Sequence, residues 1–236
     1  MTNPDAFCAI CGHDQFEHTP VLWPELTSEW ELTPDEAAYL DVQQGTKCRR
    51  CGSNVRSQAL ARAILVAAGA TGTLEAHVSA GGGNTTSVLE LNEAGTLSPW
   101  LSRLAGYRFA AFPEHDMQQL SFGDALFDLV VHSDTLEHVP DRRRALAECR
   151  RVLAPDGALV FTVPVVVGRL TRSRAGRPAS YHGHPGCRQE DYLVHTEFGA
   201  DVWTDVLAAG FVSCEAVAYR FPAGLAFICR PRQAAR

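Results

Sequence analysis

Long apolar runs are missing from this sequence. None approaches the ~20 residues that a membrane-spanning helix requires, and the opening MTNPDAFCAICG does not have the pattern of a secretory signal. An excess of positive charge is missing as well. With 21 basic and 27 acidic residues the formal net charge is −6, which argues against a chain built to coat nucleic acid. Lysine is nearly absent: Lys47 stands alone and every other basic residue is arginine, as a GC-rich coding sequence produces. Repeats and low-complexity tracts are absent too. What is present is ordinary globular material, 46% hydrophobic and 20% charged, which excludes a disordered chain. At 236 residues it suits one mid-sized domain with a small appendage. A domain of that length buries roughly 70% of its unfolded surface and needs no disulfide staples. The expectation is a cytoplasmic protein with no membrane partner.

Four of the eight cysteines form two CxxC pairs, Cys8/Cys11 and Cys48/Cys51, each followed by glycine. Four thiolates are what a tetrahedral structural zinc needs, with no position left open for catalysis. Lys47, Arg49 and Arg50 lie where they offset the net −2 of such a centre. The 36 residues between the pairs predict an insertion, Trp23 to Val42. A redox-active CxxC is the rival reading; it usually occurs singly, near the start of a βαβ unit. Cys149, Cys214 and Cys229 lie in apolar patterns and read as core, and Cys187 reads as a loop residue.

From Asn54 to Gly69 apolar residues recur at helical spacing (Val55, Ala59, Ala63, Val66), with Arg56 and Arg62 off that face. Strands and helices then alternate. Thr86–Leu91, Tyr107–Phe112, Phe127–His132 and Ala158–Val163 read as strands. Leu97–Leu104, Asp141–Leu153 (N-capped by Asp141) and Thr196–Ala209 read as helices. Pro155-Asp156-Gly157 reads as a turn, and Phe211–Tyr219 with Leu225–Arg230 as a closing hairpin. The fold class that follows is α/β: a Rossmann-like, mostly parallel sheet with helices on both faces and a C-terminal antiparallel hairpin, plus a small N-terminal zinc-ribbon-like module. The division expected is 1–53 for the zinc-binding module, 54–70 for a linking helix and 71–236 for the Rossmann-like domain. Ligands of such sheets bind at the carboxyl ends of the strands, near the point where strand order reverses.

Phe127-Asp128-Leu129-Val130-Val131, Leu136-Glu137-His138-Val139, Glu148, Arg151-Val152-Leu153, Pro155-Asp156-Gly157 and Phe161-Thr162-Val163-Pro164 follow one another in the order FDLV…LEHV…E..RVL.PGG…TVP. Over about Ser87 to Phe227 the chain thereby resembles the class I S-adenosylmethionine-dependent methyltransferases. It also looks like a bacterial subgroup with an N-terminal double CxxC, associated with sugar, surface-polysaccharide or natural-product methylation. The resemblance implies that Glu90 and the loop Asn92, Ala94, Gly95, Thr96 meet the amino-acid and sulfonium part of the cofactor. Asn92, Ala94 and Thr96 stand where that family usually has glycine. Asp116 and Met117 match its adenine position. The acid that usually binds the ribose is absent or replaced by Glu114, and the helix and third strand usual before Asp116 are expected to be missing. His132 and Ser133 match the methyl-transfer face. Holding donor and acceptor in line supplies about 7–11 kcal/mol of the barrier, so a general base is optional. Candidates for it are His138, His195, Glu197 and Tyr181, and each also has a plain structural reading.

Between Val165 and Gln189 there is no acid but there are five arginines, Arg169, Arg172, Arg174, Arg177 and Arg188, with His182 and His184. A basic segment leaving a strand tip beside the donor points to a small anionic acceptor held by Arg169, Arg172, Arg174 and His182, because guanidinium recognises phosphate and carboxylate in a planar, bidentate way. A solvated loop is the alternative. Two other functional readings stay open: an RNA methyltransferase, and a catalytically silent binding or scaffold protein that has kept the fold.

Overall fold

The computed structural model of the chain describes residues 4–83, 85, 87–182 and 189–232. Thr86, His184, Cys187 and Arg188 lie outside the described residues.

The elements in chain order begin with β1 (Phe16–His18), α1 (Pro24–Glu29), α2 (Pro34–Gly45) and β2 (Thr46–Cys48). Next come α3 (Val55–Ala67), α4 (Leu74–Ser79), β3 (Val88–Leu91), α5 (Ser98–Leu101), β4 (Tyr107–Ala110) and β5 (Phe127–Ser133). Then follow α6 (Arg142–Val152), β6 (Leu153–Thr162), β7 (Val165–Val166), β8 (Arg172–Ser173) and β9 (Thr196–Gly199). The chain closes with α7 (Val202–Ala208), β10 (Ser213–Tyr219) and β11 (Gly224–Arg230). Side chains cap α2, α3 and α6. Thr33 and Glu36 form a reciprocal capping box on α2. Asn54 caps α3 by accepting from the Ser57 amide, and Asp141 caps α6 by accepting from the Arg144 amide.

The central sheet has the order β10-β11-β6-β5-β3-β4. Its β4, β3, β5 and β6 strands run parallel, and β11 and β10 form the antiparallel closing hairpin. Successive β5 residues serve opposite faces. Leu129 and Val131 pack with α3, α4 and α5, whereas Val130 packs with Leu146, Cys149 and Val152 of α6 and Val202 and Val206 of α7. Both faces of β3 and β5 are therefore covered, which is why those strands are largely apolar, whereas the edge strand β4 is mostly exposed. No described helix is long and apolar enough to cross a membrane.

Several local expectations are corrected. β6 begins at Leu153, and its pairing with β5 jumps from Phe127↔Leu153 to Leu129↔Ala158, so Pro155-Asp156-Gly157 forms a bulge in a strand instead of a free turn. Glycine is needed there, because a Cβ at Gly157 would lie 2.9 Å from the carbonyl oxygens of Phe127 and Asp128. The helix expected over Leu97–Leu104 is a 3-10 turn at Gly95–Leu97 followed by the short α5. β4 ends at Ala110, where its partner β3 also ends and Asn92 turns into the left-handed region. Between β4 and β5 the described residues form no further strand or helix, which leaves β4 at the sheet edge. Thr196–Gly199 is a strand rather than the first turn of a helix. It runs between β7 and β8 in a separate three-stranded sheet, and strand pairing on both sides outweighs its local helical pattern. The insertion between the CxxC pairs packs on this second sheet, with Leu26, Trp30 and Leu40 buried against Val166 and Val194.

Candidate active site and metal centres

Strand order reverses between β3 and β5, so the carboxyl ends of those strands mark the ligand position of this fold. Glu90 on β3 is fully buried beneath that position. Its carboxylate accepts from the Ala94 amide (2.7 Å), the Ser98 hydroxyl and the Tyr107 hydroxyl (2.7 Å). Burial, then the bond to Glu90, pushes the Tyr107 phenol well above its ordinary range. Glu90 thus shapes the loop after β3 from below. Asn92, in a left-handed conformation, accepts from the Phe112 amide (3.1 Å) and ties that loop to the end of β4. Thr96 donates to Ser53 (2.6 Å). Gly95 abuts the first turn of α3 so closely that a Cβ there would stand 2.6 Å from Ser57 Oγ.

Arg56 and Asp134 were not singled out from sequence, and they lie at this same point. Asp134, just past β5, pairs with the Arg56 guanidinium and accepts from Gln44 (3.0 Å). Arg56 also borders Gly95, and its buried Nε has no hydrogen-bond partner. A signal existed for Asp134: it is the first acid after a buried parallel strand.

Among the adenine and ribose candidates, Asp116 is half-buried and accepts from the Gln118 amide (2.8 Å). Met117 is buried and Glu114 is exposed. Ser133 hydrogen-bonds Thr162 (2.8 Å). The expectation that His132 faces methyl transfer is corrected. Its side chain has the parity of Val130 and lies inside the α6/α7 face, stacked on Phe161 at 4.9 Å with neither ring nitrogen partnered. Burial pulls its pKa down to about 3.

The remaining candidates divide. Glu197 is buried on β9 and pairs with both Arg172 (2.6 Å) and Arg174. Arg172 also pairs with Glu31 (2.8 Å). Arg169 grips Glu36 with two nitrogens and donates to the Trp30 and Glu31 carbonyls. The three arginines that read as anion-binding are therefore neutralised internally, by acids on α2, at the end of α1 and on β9, and they fasten the insertion to the second sheet. His195 lies in a cleft of about 330 Å³ with Arg142, Arg174 and Arg177, and its amide donates to the Glu137 carbonyl. Tyr181 bridges backbone to backbone with Leu193. His138 Nδ1 bonds the Leu193 carbonyl (3.1 Å), and its ring lies 5.0 Å from that of His182. Both imidazoles are held neutral by burial, His182 with a pKa pushed down to about 3. Glu137 beside them is fully buried, and burial drives its carboxyl well above the carboxylate range.

Cys8, Cys11, Cys48 and Cys51 converge, with Sγ–Sγ separations of 3.6 Å for Cys8–Cys51 and 3.7 Å for Cys11–Cys48. Four sulfurs ~2.3 Å from a tetrahedral zinc stand ~3.8 Å apart, so the donor set fits that ion. The two knuckles repeat one another: the Gly12 amide bonds the Cys8 carbonyl and the Gly52 amide the Cys48 carbonyl. Arg50 donates to the Cys11 carbonyl (3.1 Å). A cavity of about 580 Å³ runs from Cys11 and Cys51 to Glu93, Thr96 and Trp100.

Comparison with known proteins finds partial similarities. Residues 77–161 match the family profile described as a methyltransferase domain. The chain is 37% identical over 101 residues to malonyl-[acyl-carrier protein] O-methyltransferase of Geobacter sulfurreducens, covering 42% of this chain and 37% of that protein. It is 37% identical over 106 residues to demethylmenaquinone methyltransferase of Clavibacter sepedonicus, covering 44% of this chain and 42% of that protein. The chain spans about two fifths of the length of these relatives. A solved S-adenosylmethionine-dependent methyltransferase of Methanosarcina mazei is 15% identical, with 61% of this chain and 90% of that chain covered and a TM-score of 0.37.

Proposed function

We propose that the chain, whose residues 77–161 match a methyltransferase-domain profile, transfers the methyl group of S-adenosylmethionine to a small-molecule acceptor. The observation that carries this reading is the coincidence of that domain with the switch point, where the loop after β3, Asp134 and Arg56 meet. When bound, the cofactor supplies an electrophilic methyl on a sulfonium that leaves as a neutral thioether.

The residues present suit its amino-acid end. A zwitterion asks for one cation and one anion side by side, and Arg56 and Asp134 are such a pair at the strand tips. In the conformation described, Arg56 and Gln44 reach Asp134 across this space. Arg56 would hold the cofactor carboxylate and Asp134 its ammonium. The orphaned Nε of Arg56 is the polar atom that would gain a partner there. The Asn92–Thr96 loop offers its backbone, held from below by Glu90. On this reading the four cysteines hold a structural zinc that braces the start of α3, and so places Arg56.

Calorimetry with S-adenosylmethionine and S-adenosylhomocysteine tests the proposal. Loss of one charge-assisted hydrogen bond costs about 2 kcal/mol, so R56A is expected to weaken binding ~30-fold. Absence of heat for wild-type protein at millimolar ligand would leave a binding or scaffold protein that has kept the fold. Wild-type affinity in R56A would remove Arg56 from the site.

A further inference from the structure

Glu137 is an unusual residue to find without a partner. Its side chain is 1% exposed, and neither carboxylate oxygen has a hydrogen-bond partner among the described residues. Two imidazole nitrogens face Glu137 Oε1, His138 Nε2 at 3.8 Å and His182 Nδ1 at 3.8 Å. Those distances are too long for hydrogen bonds. The tautomer of His138 is set by its neighbour. A backbone carbonyl only accepts, so the Nδ1 that meets the Leu193 carbonyl carries the proton, and Nε2 turns its lone pair toward Glu137. A carboxylate oxygen and an imidazole lone pair pointed at the same space repel one another unless a proton or a metal cation stands between them.

We propose that Glu137, His138 and His182 form a second metal site, for a divalent first-row transition ion, separate from the four cysteines. The three donor atoms lie within 4.8 Å of one another. With bonds of ~2.1 Å they would stand ~3.0–3.4 Å apart, so closing on the ion shortens separations of 3.8 Å, and of at most 4.8 Å, by about 0.4–1.8 Å. Two imidazoles and one carboxylate suit Fe²⁺, Co²⁺, Mn²⁺ or Zn²⁺, and leave coordination positions open for water or an acceptor oxygen. The carbonyl that receives the second nitrogen of His138 is the kind of outer contact that orients a ligating histidine.

The charges nearby do not already satisfy Glu137. Arg56 is paired with Asp134, and Arg174 with Glu197. Trp30 lies tilted against His182 at 5.1 Å and Tyr192 meets His138 edge-on at 6.5 Å, which gives two of the ligands an aromatic wall. The site joins the end of β5 to the segment after β8, and it stands whether or not methyl transfer is the activity.

The test is equilibrium dialysis of the full chain, carrying one zinc per chain in its four cysteines and no other metal, against Co²⁺, read by metal content and by visible absorption. Wild-type protein is expected to take up one Co²⁺ per chain in addition to its zinc, without thiolate-to-cobalt charge-transfer bands. H182A should bind Co²⁺ at least about tenfold more weakly while keeping its zinc, and E137Q should behave alike. Wild-type protein that takes up no Co²⁺, or takes it up only with thiolate bands, overturns the proposal. So does equal uptake by wild type and H182A. The wild-type measurement decides on its own if a variant fails to fold.

Discussion

Glu90 lies where a cofactor contact was expected, and the structure makes it a buried keystone of the loop, so its removal should unfold before it unbinds. Glu90→Ala strands the Ala94 N–H, a fixed backbone donor, and takes the acceptor from the Ser98 and Tyr107 hydroxyls. Hydrogen bonds to a charged group contribute about 1.5–3 kcal/mol each. Relief of the desolvated carboxylate offsets part of the loss, and the two hydroxyls can rotate toward other partners. The net cost is about 3 kcal/mol, a large share of the ~5–15 kcal/mol that holds a domain together. Tyr107→Phe removes one of the three bonds and costs about 1.5 kcal/mol. Because the two residues share a bond, Glu90→Gln and Tyr107→Phe should be coupled by about 1 kcal/mol in a double-mutant cycle. Urea unfolding followed by tryptophan fluorescence, in zinc-containing buffer, measures all of this. An E90A midpoint equal to wild type, or a coupling under ~0.5 kcal/mol, would refute the keystone role.

Two further outcomes are expected. His132 titrates near 6.5 when unfolded and is drawn down to about 3 when folded, so the unfolded chain binds the extra proton between those values. Its contribution to stability is intact above pH ~6.5 and is lost as pH falls, about 2 kcal/mol by pH 5, until it levels off near pH 3. H132L should therefore show a flatter loss of stability between pH 6.5 and 4, and an unchanged slope in acid-denaturation curves would place the proton elsewhere. Chelation of zinc should open the module. Cys8, Ile10, Cys11 and Cys48 share one buried cluster with α3 and α4, so the melting temperature of the whole chain should fall as well, and trypsin should gain access at Lys47–Arg50. Unchanged digestion and melting after metal removal would mean that packing alone holds the cysteines.

Much of this molecule was legible in the sequence, and the legible parts have short-range causes. The two CxxC knuckles, the cap at Asp141, the apolar stripe of α3, the buried strands β3 and β5 and the closing hairpin are each set within a dozen neighbouring residues, by spacing and periodicity. What the sequence left open depends on residues far apart in the chain. Thr196–Gly199 has a helical local pattern and became a strand because β7 and β8 flank it. Arg169, Arg172 and Arg174 read as anion-binding because no acid lies near them in sequence. The fold brings Glu31, Glu36 and Glu197 to them, and desolvation makes such pairing obligatory once the segment is buried. The same holds for Glu137. The Glu-His pair is visible in the sequence, but only the return of the chain after β8 sets His182 beside it. Local patterns determine which elements form; only the packed structure decides which charges neutralise one another and which stay unmatched, because charge pairing is settled by distance in space and burial.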